Sequence, residues 1–164
     1  MKIHLKESNG RLRKINFRRN WNKRNQINFL NNKDIMRFEI AQDIQERINS
    51  MLNVLNYEHI DGSRVICIRS FNSKSSALAR IWGLSRVWQK VLNVRSHYII
   101  EVLNPRFDRL SKEDQDKTLL HELLHIPKKF SGGLVPHKCF GKKIDRKTVE
   151  DLYRKYFKWG IIWN

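Results

Sequence analysis

The stretch Ser111-Lys-Glu-Asp114-Gln-Asp-Lys-Thr-Leu119-Leu120-His121-Glu122-Leu123-Leu124-His125-Ile126-Pro127 decides how this chain is organised. Ser111 and Asp114 have the spacing of a capping box, which predicts a helix from there to about Ile126, and Pro127 ends it. Residues four apart on a helix lie one above the other, so His121 and His125 present two imidazoles to one point, with Glu122 beside them. This is the HExxH arrangement, in which two histidines hold zinc and the glutamate acts on its water as general base. Leu119, Leu120, Leu123 and Leu124 turn the remaining faces towards a core and so help to fix the ligands.

A tetrahedral catalytic zinc takes three protein ligands and keeps a fourth position for water. The segment after the helix, Ser131-Gly132-Gly133-Leu134-Val135-Pro136-His137, supplies a candidate. Gly132 and Gly133 permit the reversal that brings His137 back to the metal, and Pro127 and Pro136 restrict the loop between. His137 is therefore the expected third ligand. Cys139, a thiolate two residues on, and Glu150, a carboxylate from the next helix, are its rivals.

The 164 residues are enough for one domain with a modest core, and no apolar run is long enough for a membrane span. A charged N-terminus argues against secretion, and two cysteines, Cys67 and Cys139, form no disulfide framework, so a cytoplasmic setting is expected. The formal net charge is +17, and residues 1–33 contribute ten Lys and Arg against one acid. There Arg11, Arg13, Lys14, Arg18, Arg19, Lys23 and Arg24 interleave with Trp21, a pattern suited to phosphates and stacked bases. A solvated, poorly ordered arm is the other reading. The boundaries expected are a basic arm over 1–33 and a folded domain over 34–164.

Within that domain, Ile35, Phe38, Ala41, Ile44, Ile48, Leu52 and Leu55 recur at helical spacing, predicting an amphipathic helix over 34–55. Asp61-Gly62 marks a turn before a short buried strand, Val65–Ile68, and Ser70–Ser76 reads as a loop. Ala77–Leu92 fits either a helix broken at Gly83 or a strand near Trp82 or Val87. His97–Leu103 reads as a strand stopped by Asn104-Pro105. Thr148 and Asp151 suggest a capping box opening a last helix, which runs to Phe157 or Lys158 and stops at Gly160. The order predicts an α+β, zincin-like fold, a small sheet with helices on one side, in which one strand edge can accept an extended peptide.

Several of these segments together resemble a known family. They are Arg64-Val-Ile-Cys67-Ile-Arg69-Ser70, Ser73-Lys74-Ser75, Ala79-Arg80-Ile81-Trp82-Gly83-Leu84 and Tyr98-Ile-Ile-Glu101-Val102, followed by His121–Pro127 and Ser131–His137. Over about residues 34–140 the chain is similar to the zincin-like metallopeptidases of archaea, bacteria and their phages. The resemblance implies zinc at His121, His125 and His137, with Glu122 as base, and it leaves the 1–33 arm unexplained. The HELLH pattern is more distantly similar to SprT-like proteases, which act on proteins crosslinked to DNA.

The reading favoured is zinc-dependent hydrolysis of peptide bonds, with substrates that include nucleic-acid-associated proteins. A basic nucleic-acid-binding protein with a structural zinc, closed by a fourth ligand such as Cys139, is the alternative. A nuclease ranks last, because paired metals call for several carboxylates and only Glu122 flanks the histidines. Tyr98, Tyr153, His97 and the basic residues of the 127–143 loop are candidates to steady an oxyanion. Arg64, Arg69, Arg80 and Glu101 fit buried ion pairs as well as substrate contacts.

Overall fold

The computed structural model describes residues 2–6, 12–16, 35–139 and 142–160. The chain divides into two compact units, Met1–Ile35 and Met36–Asn164. In the first, β1 (Lys2–Lys6) and β2 (Leu12–Asn16) pair antiparallel, from Lys2 opposite Asn16 to Lys6 opposite Leu12.

The second unit is α+β. Its strands are β3 (Arg37–Ile40), β4 (Val65–Phe71), β5 (Ala79–Gly83) and β6 (Tyr98–Leu103), in the order β3-β4-β6-β5. β4 and β6 run parallel at the centre, and β3 and β5 close the two edges antiparallel. Its helices are α1 (Gln42–Val54), α2 (Arg86–Leu92), α3 (Lys112–Leu124) and α4 (Arg146–Gly160). A short ladder joins β7 (Lys138–Cys139) to β8 (Lys142–Lys143). No helix among the described residues is long and apolar enough to cross a membrane.

Strand alternation sorts the sheet into two unlike faces. Val65, Cys67, Ala79, Tyr98, Ile100 and Val102 are buried on one of them. The same core holds Ile44, Ile48 and Met51 of α1 and Leu119, Leu120 and Leu123 of α3. On the other face Phe38, Ile40, Ile66 and Trp82 stay exposed.

Three expectations need correction. The helix expected over 34–55 begins only at Gln42, because residues 37–40 pair with β4 instead. Ile35 and Phe38, whose spacing suggested a core stripe, are exposed at 52% and 54%. Ala41 ends the ladder, its N–H donating to the Cys67 carbonyl at 3.0 Å, while the Gln45 side chain accepts from Cys67 N–H at 3.0 Å. Second, β4 runs through Ser70, which is buried, so the polar loop starts after Phe71. Third, α4 is capped by Asp145, not Thr148: Asp145 Oδ1 accepts from Thr148 N–H at 2.9 Å. The ambiguous stretch 77–92 resolves into both elements weighed for it, a strand through Trp82 and a helix after Gly83.

Candidate metal centre

α3 carries the site, and its ends and position are held chemically. Ser111 Oγ accepts from Asp114 N–H at 3.1 Å, which caps the helix where the sequence predicts, though the helix ends at Leu124 with His125 as C-cap. Asp116, buried on α3, forms an ion pair with Arg47 of α1. Arg47 Nη1 also donates to Gln115 Oε1 at 2.7 Å. Leu119, Leu120 and Leu123 are buried in the core as expected, whereas Leu124 is half-buried.

His121, His125 and His137 come together, with one ligand atom from each lying within 4.8 Å of the others. His121 Nε2 is 3.2 Å from His137 Nε2 and 3.3 Å from His125 Nε2. Three nitrogens held about 2.0–2.1 Å from one ion in tetrahedral array lie roughly 3.3–3.4 Å apart, so these separations fit such an ion. Burial and the neighbouring His125 and His137 lower the His121 pKa, which favours the neutral imidazole that a metal needs.

The tautomer of His125 is set by the loop. Its Nδ1 lies 2.6 Å from the Val135 carbonyl, which can only accept, so Nδ1 carries the proton and Nε2 faces the cluster as a lone pair. Val135 N–H returns a bond to the His125 carbonyl at 2.8 Å.

The loop from Pro127 to His137 is pinned from below. The Tyr98 hydroxyl accepts from Gly132 N–H at 2.8 Å and donates to the Gly133 carbonyl at 2.9 Å. Gln89 Nε2 donates to the Ser131 carbonyl at 3.0 Å and to the Leu84 carbonyl at 2.6 Å. Gly132 has φ +84°, and a Cβ there would sit 2.0 Å from the Leu84 oxygen, so only glycine meets both demands.

Glu122 is buried, and burial pushes its carboxyl up to about 7, against the lowering effect of a hydrogen bond from the Ile81 amide. That amide is available because of the register of β5. Leu84 N–H bonds the His97 carbonyl and Leu103 N–H bonds the Leu78 carbonyl, so even-numbered residues face β6. Ala79, Ile81 and Gly83 then aim their main-chain groups away from β6, at the edge of the sheet. A Cβ on Gly83 would lie 2.3 Å from the Gly132 oxygen, so the loop covers that end of the edge. Beyond Ala79 a cleft of about 780 Å³ opens between β5, α3 and α4, with His121 and Glu122 in its wall.

These distances surround a metallopeptidase-like constellation, and comparison with known families bears on it directly. The family model described as "Putative phage metallopeptidase" matches residues 36–157. The chain belongs to that family. The match runs past the 34–140 span expected from the motifs and takes in most of α4. As a member of this family the protein is a metallopeptidase, and a metal is implied. No curated protein and no solved structure matches the chain.

The other sequence candidates are placed as follows. Glu150 is engaged elsewhere, 2.6 Å from Lys117 Nζ and 3.5 Å from Arg154 Nε. The side chain of Cys139 lies outside the described residues. Tyr98 is buried beneath the loop, Lys117 Nζ lies 5.0 Å above the Tyr153 ring, and His97 Nδ1 bonds the Arg95 carbonyl at 2.8 Å. Arg64 pairs with Asp61, Arg69 with Asp43 and Asp108, and Arg80 with Glu101, which also accepts from Trp82 Nε1 at 2.8 Å. Arg13 and Lys14 fall on β2 with side chains undescribed; Arg11, Arg18, Arg19, Trp21, Lys23 and Arg24 lie outside the described residues. Sequence reasoning missed Gln89 as an anchor of the loop and the Ile81 amide as partner of Glu122. Gly83 and Gly132 were the visible signal, since two chains that approach this closely leave no room for a Cβ.

Proposed function

We propose that the protein is a zinc-dependent peptidase of zincin type, in which His121, His125 and His137 hold the metal and Glu122 is the general base. The observation that carries this reading is the convergence of three imidazole nitrogens, 3.2 and 3.3 Å apart, beside a buried carboxylate. An all-imidazole donor set suits zinc better than calcium or magnesium, which favour oxygen. Bound there, zinc would supply an acidified water and polarise the scissile carbonyl.

The chain's own residues do the rest. Glu122 takes the proton from the attacking water and hands it to the leaving amine. The Ile81 amide holds the Glu122 carboxylate in position. His137 is exposed, which leaves the site reachable from solvent. That favours a catalytic centre over a closed structural one.

Glu122→Gln separates the roles. It should keep one zinc per chain yet lose hydrolysis of a casein or peptide substrate by at least about a hundredfold, the scale of a general base. His121→Ala should lose the metal itself. A Glu122→Gln protein that cleaves as fast as the parent would overturn the assignment.

A further inference from the structure

We propose that a basic face on the segment that delivers His137, formed by Lys128, Lys138, Lys143 and Lys147, binds the phosphate backbone of a nucleic acid without regard to base sequence. Such binding needs no hydrolysis, so it stands apart from the peptidase reading. Between residues 127 and 147 the described side chains include six exposed cations, Lys128, Lys129, Lys138, Lys143, Arg146 and Lys147. Asp145 is the only acid of that segment. None of the six cations has an ion-pair partner among the described residues, whereas Arg47, Arg64, Arg69, Arg80 and Lys117 of the same unit each have one.

Tertiary contacts gather these cations. Ile144 N–H bonds the His137 carbonyl at 2.8 Å, so Lys138 and Lys143, next on β7 and β8, form a non-hydrogen-bonded pair, in which side chains stand closest. Like charges opposed in this way repel. Lys143 and Lys128 border one hollow, with His59 in its wall. Lys143 and Lys147 both flank Asp145, whose carboxyl is held below its ordinary value first by Thr148 and then by these two cations. Asp145 is already committed to capping α4, and an anion laid across the face relieves the repulsion among the lysines. Five of the six cations are lysines, compact charges on flexible stems. They suit phosphates strung along a strand better than carboxylates, whose paired oxygens favour the fork of arginine, so an acidic protein fits this face less well. Phosphate contacts position a strand and carry no sequence information.

The test is fluorescence anisotropy of the full-length protein with a labelled DNA duplex of about 20 base pairs over a series of salt concentrations. Binding should weaken steeply with salt, and duplexes of unrelated sequence should bind alike. Lys128→Gln, Lys143→Gln and Lys147→Gln combined should weaken binding about tenfold or more. The same variant should reduce the slope of log affinity against log salt by roughly three, near one for each lost phosphate contact. All three side chains are exposed, so its melting temperature should stay close to that of the parent. Arg86→Gln, Lys90→Gln and Arg95→Gln combined remove the same charge from exposed positions in and after α2, and should change affinity by less than about threefold. Equal losses in the two triple variants would show that net charge alone attracts the duplex and would overturn the assignment of this face. So would a parent that binds no duplex, a first triple variant that binds like the parent, or poly-glutamate that displaces the duplex as readily as unlabelled DNA.

Discussion

His125 and Val135 are joined twice, by Val135 N–H to the His125 carbonyl at 2.8 Å and by His125 Nδ1–H to the Val135 carbonyl at 2.6 Å. One histidine of the cluster is thereby fixed to the segment of loop that delivers another, His137, two residues later. The geometry of the centre depends on that loop, and so on what holds the loop down.

Tyr98 is the principal support, since its hydroxyl bonds both Gly132 N–H and the Gly133 carbonyl. Tyr98→Phe keeps the ring against Phe130, whose centroid is 4.9 Å away, and removes both bonds. It should weaken zinc binding by about tenfold, the lower end for outer-shell losses. It should also cost about 1–3 kcal/mol by leaving a buried amide unpaired. Chelator competition and urea unfolding would check the two effects separately; unchanged zinc affinity would show that the loop holds without Tyr98.

The two loop glycines should behave differently. At Gly132 a Cβ meets the Leu84 oxygen at 2.0 Å and φ is +84°, so Gly132→Ala should lower thermal stability and metal content together. At Gly133 the nearest atom to a new Cβ is Ser131 Oγ at 3.8 Å, so Gly133→Ala should be close to neutral. Parallel melting curves with metal analysis decide this, and equal losses in both variants would contradict the packing described.

Arg47 and Asp116 tie α1 to the helix that carries the site. Both side chains are largely buried, so Asp116→Ala leaves a guanidinium without its main partner and should cost about 3–5 kcal/mol. The double variant Arg47→Met with Asp116→Leu should recover part of that loss, because no lone charge then remains. Urea denaturation of wild type, Asp116→Ala and the double variant checks this; a double variant no more stable than Asp116→Ala would refute it.

Acid should loosen the other end of the sheet. The hydrogen-bonded Arg69 guanidinium, in spite of some burial, holds the Asp43 carboxyl below its ordinary value of 3.8. The folded pKa is depressed, so this stabilisation is present above 3.8 and is lost as pH falls through the lower folded value. Asp43 is mostly exposed, so the effect is small. Wild type should lose more of its urea midpoint than Asp43→Asn does between about pH 5 and pH 2.

Much of this was legible before any coordinates. Ser111 and Asp114, the histidine spacing at 121 and 125, and the stop at Asn104-Pro105 are local signals, decided by a few neighbouring residues through capping, helical pitch and missing donors. The same locality misled at Ile35 and Phe38, where a helical spacing was overridden by pairing with β4, a partner some thirty residues away. It left Ala77–Leu92 undecided for the same reason, since β5 exists only because β6 is there to pair with it.

By itself, then, the sequence determined the residue types of the centre, the helix that carries two of them and the membership of the α+β class. The tertiary structure alone decided that His137 reaches the other two histidines, that β5 rather than another strand forms the edge beside Glu122, and that the Ile81 amide meets that carboxylate. Those outcomes depend on contacts between segments far apart in the chain, whose energies come from shared burial and from main-chain groups that choose partners only once the sheet has assembled.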